Sequence, residues 1–184
     1  MKKYNLYFLT PILICVFSIL IYNSCKNASQ VNFTEFFDKD EPKMKTNKMN
    51  NWEIIDGTVD IIGSDTNQDF LKIGKTYIDL DGGSKNGAKI RSKTKFNLVK
   101  SQDYTLNLRI AGQPLRNRGD NLVKISMGNQ IDTTLSVKAL SQLKEYNFEF
   151  KSVNNNSVQI IIEDLGNDNL GALLVEVSFK SLNI

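Results

Sequence analysis

Apolar and polar residues alternate one by one through most of this 184-residue chain, and that period of two constrains the fold more than any other feature. Side chains on an extended strand point to opposite faces in turn, so such alternation marks strands buried on one side. "YTLNLRIA" puts Tyr104, Leu106, Leu108 and Ile110 on one face, and "LVKISM" does the same with Val123, Ile125 and Met127. "EYNFEF" gives Tyr146, Phe148 and Phe150, "SVQIII" gives Val158, Ile160 and Ile162, and "LLVEVSF" gives Leu173, Val175, Val177 and Phe179. The longest run, "AKIRSKTKFNLV", reads as one strand with Ala88, Ile90, Thr94, Phe96 and Leu98 inward and Ser92 among them. Gly128-Asn129 supplies a short hairpin connection, and residues 154–156 another turn. "VKALSQLKEY" is the one stretch that suggests a helix, and it is short. About eight to ten short strands punctuated in this way predict an all-β fold, an antiparallel β-sandwich.

The N-terminus is built differently. "MKKYNLYFLTPILICVFSILIYNSC" has two lysines, an apolar run from Leu6 to Ile21 and then small and polar residues, the three-part layout of a secretory signal. The run is short for a membrane span, which needs roughly 20 residues. Ser24-Cys25 follows it at once, and a polar stretch follows the cysteine. The segment resembles a bacterial lipoprotein signal, in which Cys25 becomes the acylated first residue of the mature chain. Tyr22 and Asn23 depart from that pattern, and an uncleaved anchor or an ordinary cleaved signal are the alternatives. The expected organisation is a signal over 1–24, a polar tether over 25–50 and the sandwich over 51–184. Within the tether, "VNFTEFF" has three phenylalanines and is suited to dock as a first strand. The expected location is the bacterial cell envelope, lipid-anchored to a membrane and facing either the periplasm or the surface.

Composition removes several function classes. The chain has no histidine, so a Ser-His-Asp or Cys-His mechanism is excluded. Cys15 lies in the apolar run and Cys25 is taken by lipid, which leaves no thiol for a disulfide framework or a thiolate metal site. The net charge is +3, but without Lys2 and Lys3 the chain keeps 21 basic against 20 acidic residues. That balance does not mark a nucleic-acid binder.

Several segments together carry a resemblance: "NWEIIDGTVDIIG", "YIDLDGGSKNGAKIRSKTKFNL", "YTLNLRIAG" and the closing "DNLGALLVEVSF". In this order they resemble the galactose-binding-like jelly-roll domains of secreted bacterial surface proteins and plant cell-wall proteins. The resemblance covers roughly Trp52 to Phe179. It implies a carbohydrate-binding-module-like sandwich, often calcium-stabilised, without enzymatic activity of its own. Val175-Glu176 stands where relatives close with acidic or amide residues.

Three groups of residues are candidates for a site. In "TYIDLDGGSKNGAKI", Asp79 and Asp81 share a strand parity, and Ser84 and Asn86 add oxygens. A calcium ion wants about six or more oxygens at 2.3–2.6 Å, and Asp60 and Glu176 are the other acidic candidates. The competing reading makes Gly82-Gly83 and Asn86-Gly87 turn residues, with the aspartates bonding the turn amides. Lys89, Arg91, Lys93 and Lys95 share the outward parity of one strand, a row about 20 Å long at ~6.8 Å per step. Arg109 and Lys124 face outward on later strands. The row fits an acidic polysaccharide or lipid headgroups; alternatively it protects a sheet edge, or Glu145 and Glu149 neutralise it. The loop "GQPLRNRGDN" gathers Gln113, Arg116, Asn117, Arg118 and Asn121, which suit sugar hydroxyls or carboxylates. Trp52 and Tyr77 are the aromatic candidates for stacking, with Trp52 better placed as core.

The sequence therefore points to a lipid-anchored, non-catalytic envelope protein that binds carbohydrate, an acidic polysaccharide being one option. The alternative is a structural or assembly lipoprotein that contacts another envelope protein and binds no glycan. Calcium is the one cofactor in view.

Overall fold

The computed structural model describes residues 30–64, 66–83, 87–114, 119–166 and 171–182. The signal segment and Cys25 lie outside them, as do Arg116 and Arg118. From Val31 onward the chain forms one compact unit. In chain order its strands are β1 (Asn32–Glu35), β2 (Lys43–Thr46), β3 (Trp52–Asp56), β4 (Val59–Ile62), β5 (Tyr77–Asp79), β6 (Lys89–Ser92) and β7 (Phe96–Leu98). They continue with β8 (Asp103–Ala111), β9 (Asn121–Met127), β10 (Ile131–Val137), β11 (Lys144–Lys151), β12 (Asn156–Val158), β13 (Ile160–Asp164) and β14 (Leu173–Leu182).

Two antiparallel sheets face each other, as the alternation predicts. One runs β11-β8-β14-β5-β4-β2, with β1 also on β14; the other runs β10-β9-β13-β6-β3. Besides β8 on one side, strand β14 serves two partners in turn on the other. Leu173 and Leu174 pair with Asp79 and Ile78 of β5, while residues 177–180 pair with β1. Residues 31–50, read from composition as part of a tether, thus supply two strands and the fully buried Phe37. The sandwich begins at Val31 rather than at Asn51.

The parity of each strand sorts its side chains. Leu106, Leu108 and Ile110 of β8 meet Val123, Ile125 and Met127 of β9 in the core between the sheets. At one end this core is aromatic. Phe179 lies 5.1 Å from Phe96, edge-on, and 5.4 Å from Tyr104, stacked. Phe150 stacks on Tyr104 at 5.6 Å. Trp52 is 1% exposed and Tyr77 is fully buried, so both are core residues and not platforms.

A second apolar cluster lies on the outer side of the seven-stranded sheet. Ile62, Tyr77, Ala111, Leu173 and Val175 are covered there by Phe70, Leu71 and Ile73 of the 63–76 connection. The Tyr77 hydroxyl pins this cover: it accepts from the Phe70 amide at 2.7 Å and donates to Asp69 Oδ1 at 3.2 Å. Half of that sheet face is thereby closed and the other half is left open.

The run read as one long strand is two. The backbone bends at Lys93 and Thr94, where Ser92 Oγ donates to the Thr94 carbonyl at 2.9 Å. Strand β6 remains in the five-stranded sheet, whereas β7 leaves it to pair with β12.

Candidate functional site

The expected row of four free cations is not formed, and the reason is the place of β6. It lies between β13 and β3, inside its sheet and not at an edge. Its outward side chains are therefore flanked by carboxylates from both neighbours. Lys89 Nζ is 3.0 Å from Glu163 Oε2, and Arg91 Nη2 is 2.5 Å from Glu53 Oε2. Lys93 lies past the strand, and its Nζ donates to the Met49 carbonyl at 2.8 Å. Lys95 is exposed beyond the bend. Glu145 and Glu149, the expected neutralisers, stand on β11 of the other sheet. Arg109 is on that sheet too, 3.3 Å from Glu176 Oε2, so it does not extend the row. Lys124 pairs with Asp132 at 3.1 Å. The outer face of the five-stranded sheet is a lattice of paired charges rather than a basic track.

The 112–121 loop also differs from expectation. Gln113 and Asn121 are 4% and 7% exposed, so neither side chain is offered at the surface, and Arg116, Asn117 and Arg118 lie outside the described residues. Gln113 Nε2 donates to Asp79 Oδ2 at 2.9 Å, while Gln113 Oε1 is buried without a partner.

Asp79 sits at the centre of an acidic floor at this end of the sandwich. It stands opposite Asp60 in the β4–β5 register. Its Oδ1 accepts from the Asp81 amide at 3.0 Å, and Asp81 Oδ1 accepts from the Gly83 amide at 3.2 Å. Gly83 has φ +73° and completes the turn. Between β5 and β6 the chain passes from one sheet to the other, and Asp79 and Asp81 bond the amides at the start of that passage, while Ser84 and Asn86 lie outside the described residues. Asp164 lies close by and ties down the next connection: Oδ1 takes the Gly166 amide at 2.7 Å and Oδ2 the Ala172 amide at 3.0 Å. Gly171 passes so near that a Cβ there would be 2.2 Å from Asp79 Oδ1. Burial pushes the Asp79 carboxyl up to about 8, and Asp60, Asp81 and Asp164 add to the rise. Burial raises Asp60 as well, against the Lys45 amide that donates to it at 2.6 Å.

Three of the four acidic calcium candidates thus come together, and Glu176 does not, because Arg109 takes it on the outer face. Among the described residues no three acidic side chains are arranged to hold a metal ion. Sequence reasoning missed Asp164 and the inward turn of Gln113. The signal for Asp164 was present, since it continues the inward parity of Ile160 and Ile162 as the one charged member.

The open half of the seven-stranded sheet presents a different surface. Across β11, β8, β14 and β1, Asn147, Asn107, Ser178 and Thr34 stand in register. Strands ~4.8 Å apart make this row about 14 Å wide. Glu149, Thr105, Lys180 and Asn32 form the next row. Thr105 Oγ1 donates to Asn107 Oδ1 at 2.8 Å, which orients the amide. Asn107 Nδ2 then reaches Ser178 Oγ at 3.5 Å. Asn147 and Thr34 are exposed at the two flanks. Carboxamides and hydroxyls both donate and accept, the capacity needed to bind a hydroxyl-rich ligand. No aromatic ring is among the exposed large hydrophobic side chains of the described residues, so stacking has no platform there.

No protein-family model matches the chain, and no curated protein does. Solved structures do. The CBM22-1–GH10 portion of xylanase 10B from Clostridium thermocellum, complexed with xylohexaose, aligns over 84% of this chain with a TM-score of 0.53 at 13% identity. This chain spans 28% of that one. The CBM22-1 xylan-binding domain of Xyn10C from Paenibacillus barcinonensis aligns over 83% of this chain and 94% of its own length, with a TM-score of 0.50 at 11% identity. A family 35 carbohydrate-binding module from Clostridium thermocellum aligns over 83% and 98%, with a TM-score of 0.46 at 14% identity. The chain has the galactose-binding-like jelly-roll fold of carbohydrate-binding modules.

Proposed function

We propose that this protein is a non-catalytic carbohydrate-binding protein, held at the bacterial envelope by lipid on Cys25. Its sugar lies on the open half of the seven-stranded sheet. The observation that carries the reading is the in-register row of Asn147, Asn107 and Thr34, with Ser178 buried between Asn107 and Thr34, on the part of that face the 63–76 connection does not cover. The fold supports it, since the CBM22-1 domain of Xyn10C, which has the same fold, is a xylan-binding domain. The favoured ligand is neutral, because Arg109, Lys89, Arg91 and Lys124 are each matched by a carboxylate. Calcium at Asp60, Asp79 and Asp81 is not part of this reading, because among the described residues those side chains are not arranged to hold a metal ion; a melting temperature that falls on chelation would contradict this.

A glycan screen of neutral and acidic polysaccharides tests the proposal. Binding to a neutral glycan is expected, with little dependence on salt. Asn107→Ala with Asn147→Ala removes several hydrogen bonds of about 0.5–1.5 kcal/mol each, so affinity should fall roughly tenfold or more. Binding confined to acidic glycans and abolished by salt would place the ligand on the lysines instead.

A further inference from the structure

We infer that the end of the sandwich where the chain enters is a membrane-facing surface that rests on anionic lipid headgroups. The inference builds on the lipid anchor at Cys25 proposed above. Its first support is the point of entry. Val31 is fixed to the last strand, its amide donating to Ser181 Oγ at 3.2 Å and its carbonyl accepting from the Ser181 amide at 2.9 Å. Residues 26–30 alone separate Cys25 from Val31. Even fully extended at ~3.3–3.6 Å per residue, that stretch reaches about 20 Å. A sandwich anchored at Cys25 therefore cannot hold this end far from the bilayer.

The second support is the build of the end itself. The 99–102 and 152–155 turns are tied together: the Ser101 amide donates to the Ser152 carbonyl at 2.7 Å, and the Ser152 amide to the Gln102 carbonyl at 2.9 Å. The Lys100 amide donates to Asn155 Oδ1 at 2.7 Å. Val153 is 58% exposed at the tip.

Charge is the third support. Lys93, Lys95, Lys100, Lys151 and Lys180 are exposed at this end, against Asp103 and Glu149. Asp103 is 3.6 Å from Lys151 and offsets only that lysine. A body whose tethered end carries exposed lysines is drawn down at that end by a negative membrane surface. Each lysine near such a surface shifts the docked-to-free ratio about fivefold.

The test uses the full chain in vesicles of phosphatidylethanolamine with and without phosphatidylglycerol, read by amide hydrogen exchange. Residues 99–102 and 152–155 should exchange severalfold more slowly on the anionic vesicles. That protection should vanish with Lys100→Glu, Lys151→Glu and Lys180→Glu together, and also for the unaltered chain at about 1 M salt, where charges are screened within ~3 Å. Equal exchange on the two vesicles overturns the docking, even when the anchor holds. The anchor is read separately, by fatty-acid labelling: labelling that survives Cys25→Ala overturns the anchor, whatever the exchange shows.

Discussion

Phe179→Ala is expected to destabilise the domain by about 3–5 kcal/mol, the usual cost of truncating a buried phenylalanine. Phe179 has no exposed surface and contacts rings from three other strands, Phe96, Tyr104 and Phe150. Its loss would leave a cavity that β8, β7 and β11 cannot all close at once. Strand β14 also carries β1 on one side, so the same substitution loosens the segment that begins the sandwich. Thermal unfolding followed by circular dichroism should show a drop of roughly 6–20 °C, at ~2–4 °C per kcal/mol for a domain of this size. A change below about 1 kcal/mol would show that the aromatic end is not the packed centre described above.

Asp79→Asn is expected to act in the opposite direction and to change the pH dependence of stability. The Asp79 carboxyl is raised to about 8 in the folded protein. In the unfolded chain an aspartate titrates near ~3.9. The folded state therefore holds a proton that the unfolded state has lost across that interval. The stability tied to the protonated group is fully present below the unfolded value and is lost as pH rises towards the folded one. Each pH unit within the interval removes up to about 1.4 kcal/mol. An asparagine is neutral throughout, so it removes this slope and should stabilise the protein at pH 7 by on the order of 2–4 kcal/mol. The buried Gln113 Oε1, which has no partner, is available to accept from the new amide once the Gln113 amide turns over. Urea unfolding across pH 5 to 9 measures the effect. If the slope is the same in both proteins, Asp79 is ionised at neutral pH and the acidic floor is compensated from another source.

The fold was legible where burial is one-sided. In β8 and β9 one face meets the core and the other is mostly half-buried or exposed, and the residues record this directly; in β14 a bulge between Leu174 and Glu176 puts Leu173 and Val175 in the outer cluster, not on the core face with Val177 and Phe179 as the alternation predicts. Strand β2 was not legible. Three of its four residues, "KMKT", are exposed, so its pairing with β4 leaves no alternation to read. The break at Lys93 was hidden for a related reason, since Phe96 and Leu98 of β7 stay buried on the parity that Ile90 began.

The candidate site was less legible than the fold. Lys89 and Arg91 do point outward, as parity requires, but their charge is decided by neighbours distant in sequence. Glu53 lies 38 residues before Arg91, and only the sheet order brings the two together. The open row on β11, β8, β14 and β1 is invisible for the same reason. Its asparagines and hydroxyls look like ordinary solvent-facing residues until the register aligns them. Gln113 shows the converse: a loop amide that suits a sugar hydroxyl is used instead to hold a buried carboxyl.

The most direct measurement is a titration of the isotopically labelled protein with soluble neutral oligosaccharides, xylohexaose among them, observed through amide resonances. The side-chain amides of Asn107 and Asn147 and the backbone of β8, β11 and β14 should shift together and saturate with one affinity. Shifts gathered on β6, β9 and β13, or none with any neutral oligosaccharide, would contradict a carbohydrate site on the seven-stranded sheet.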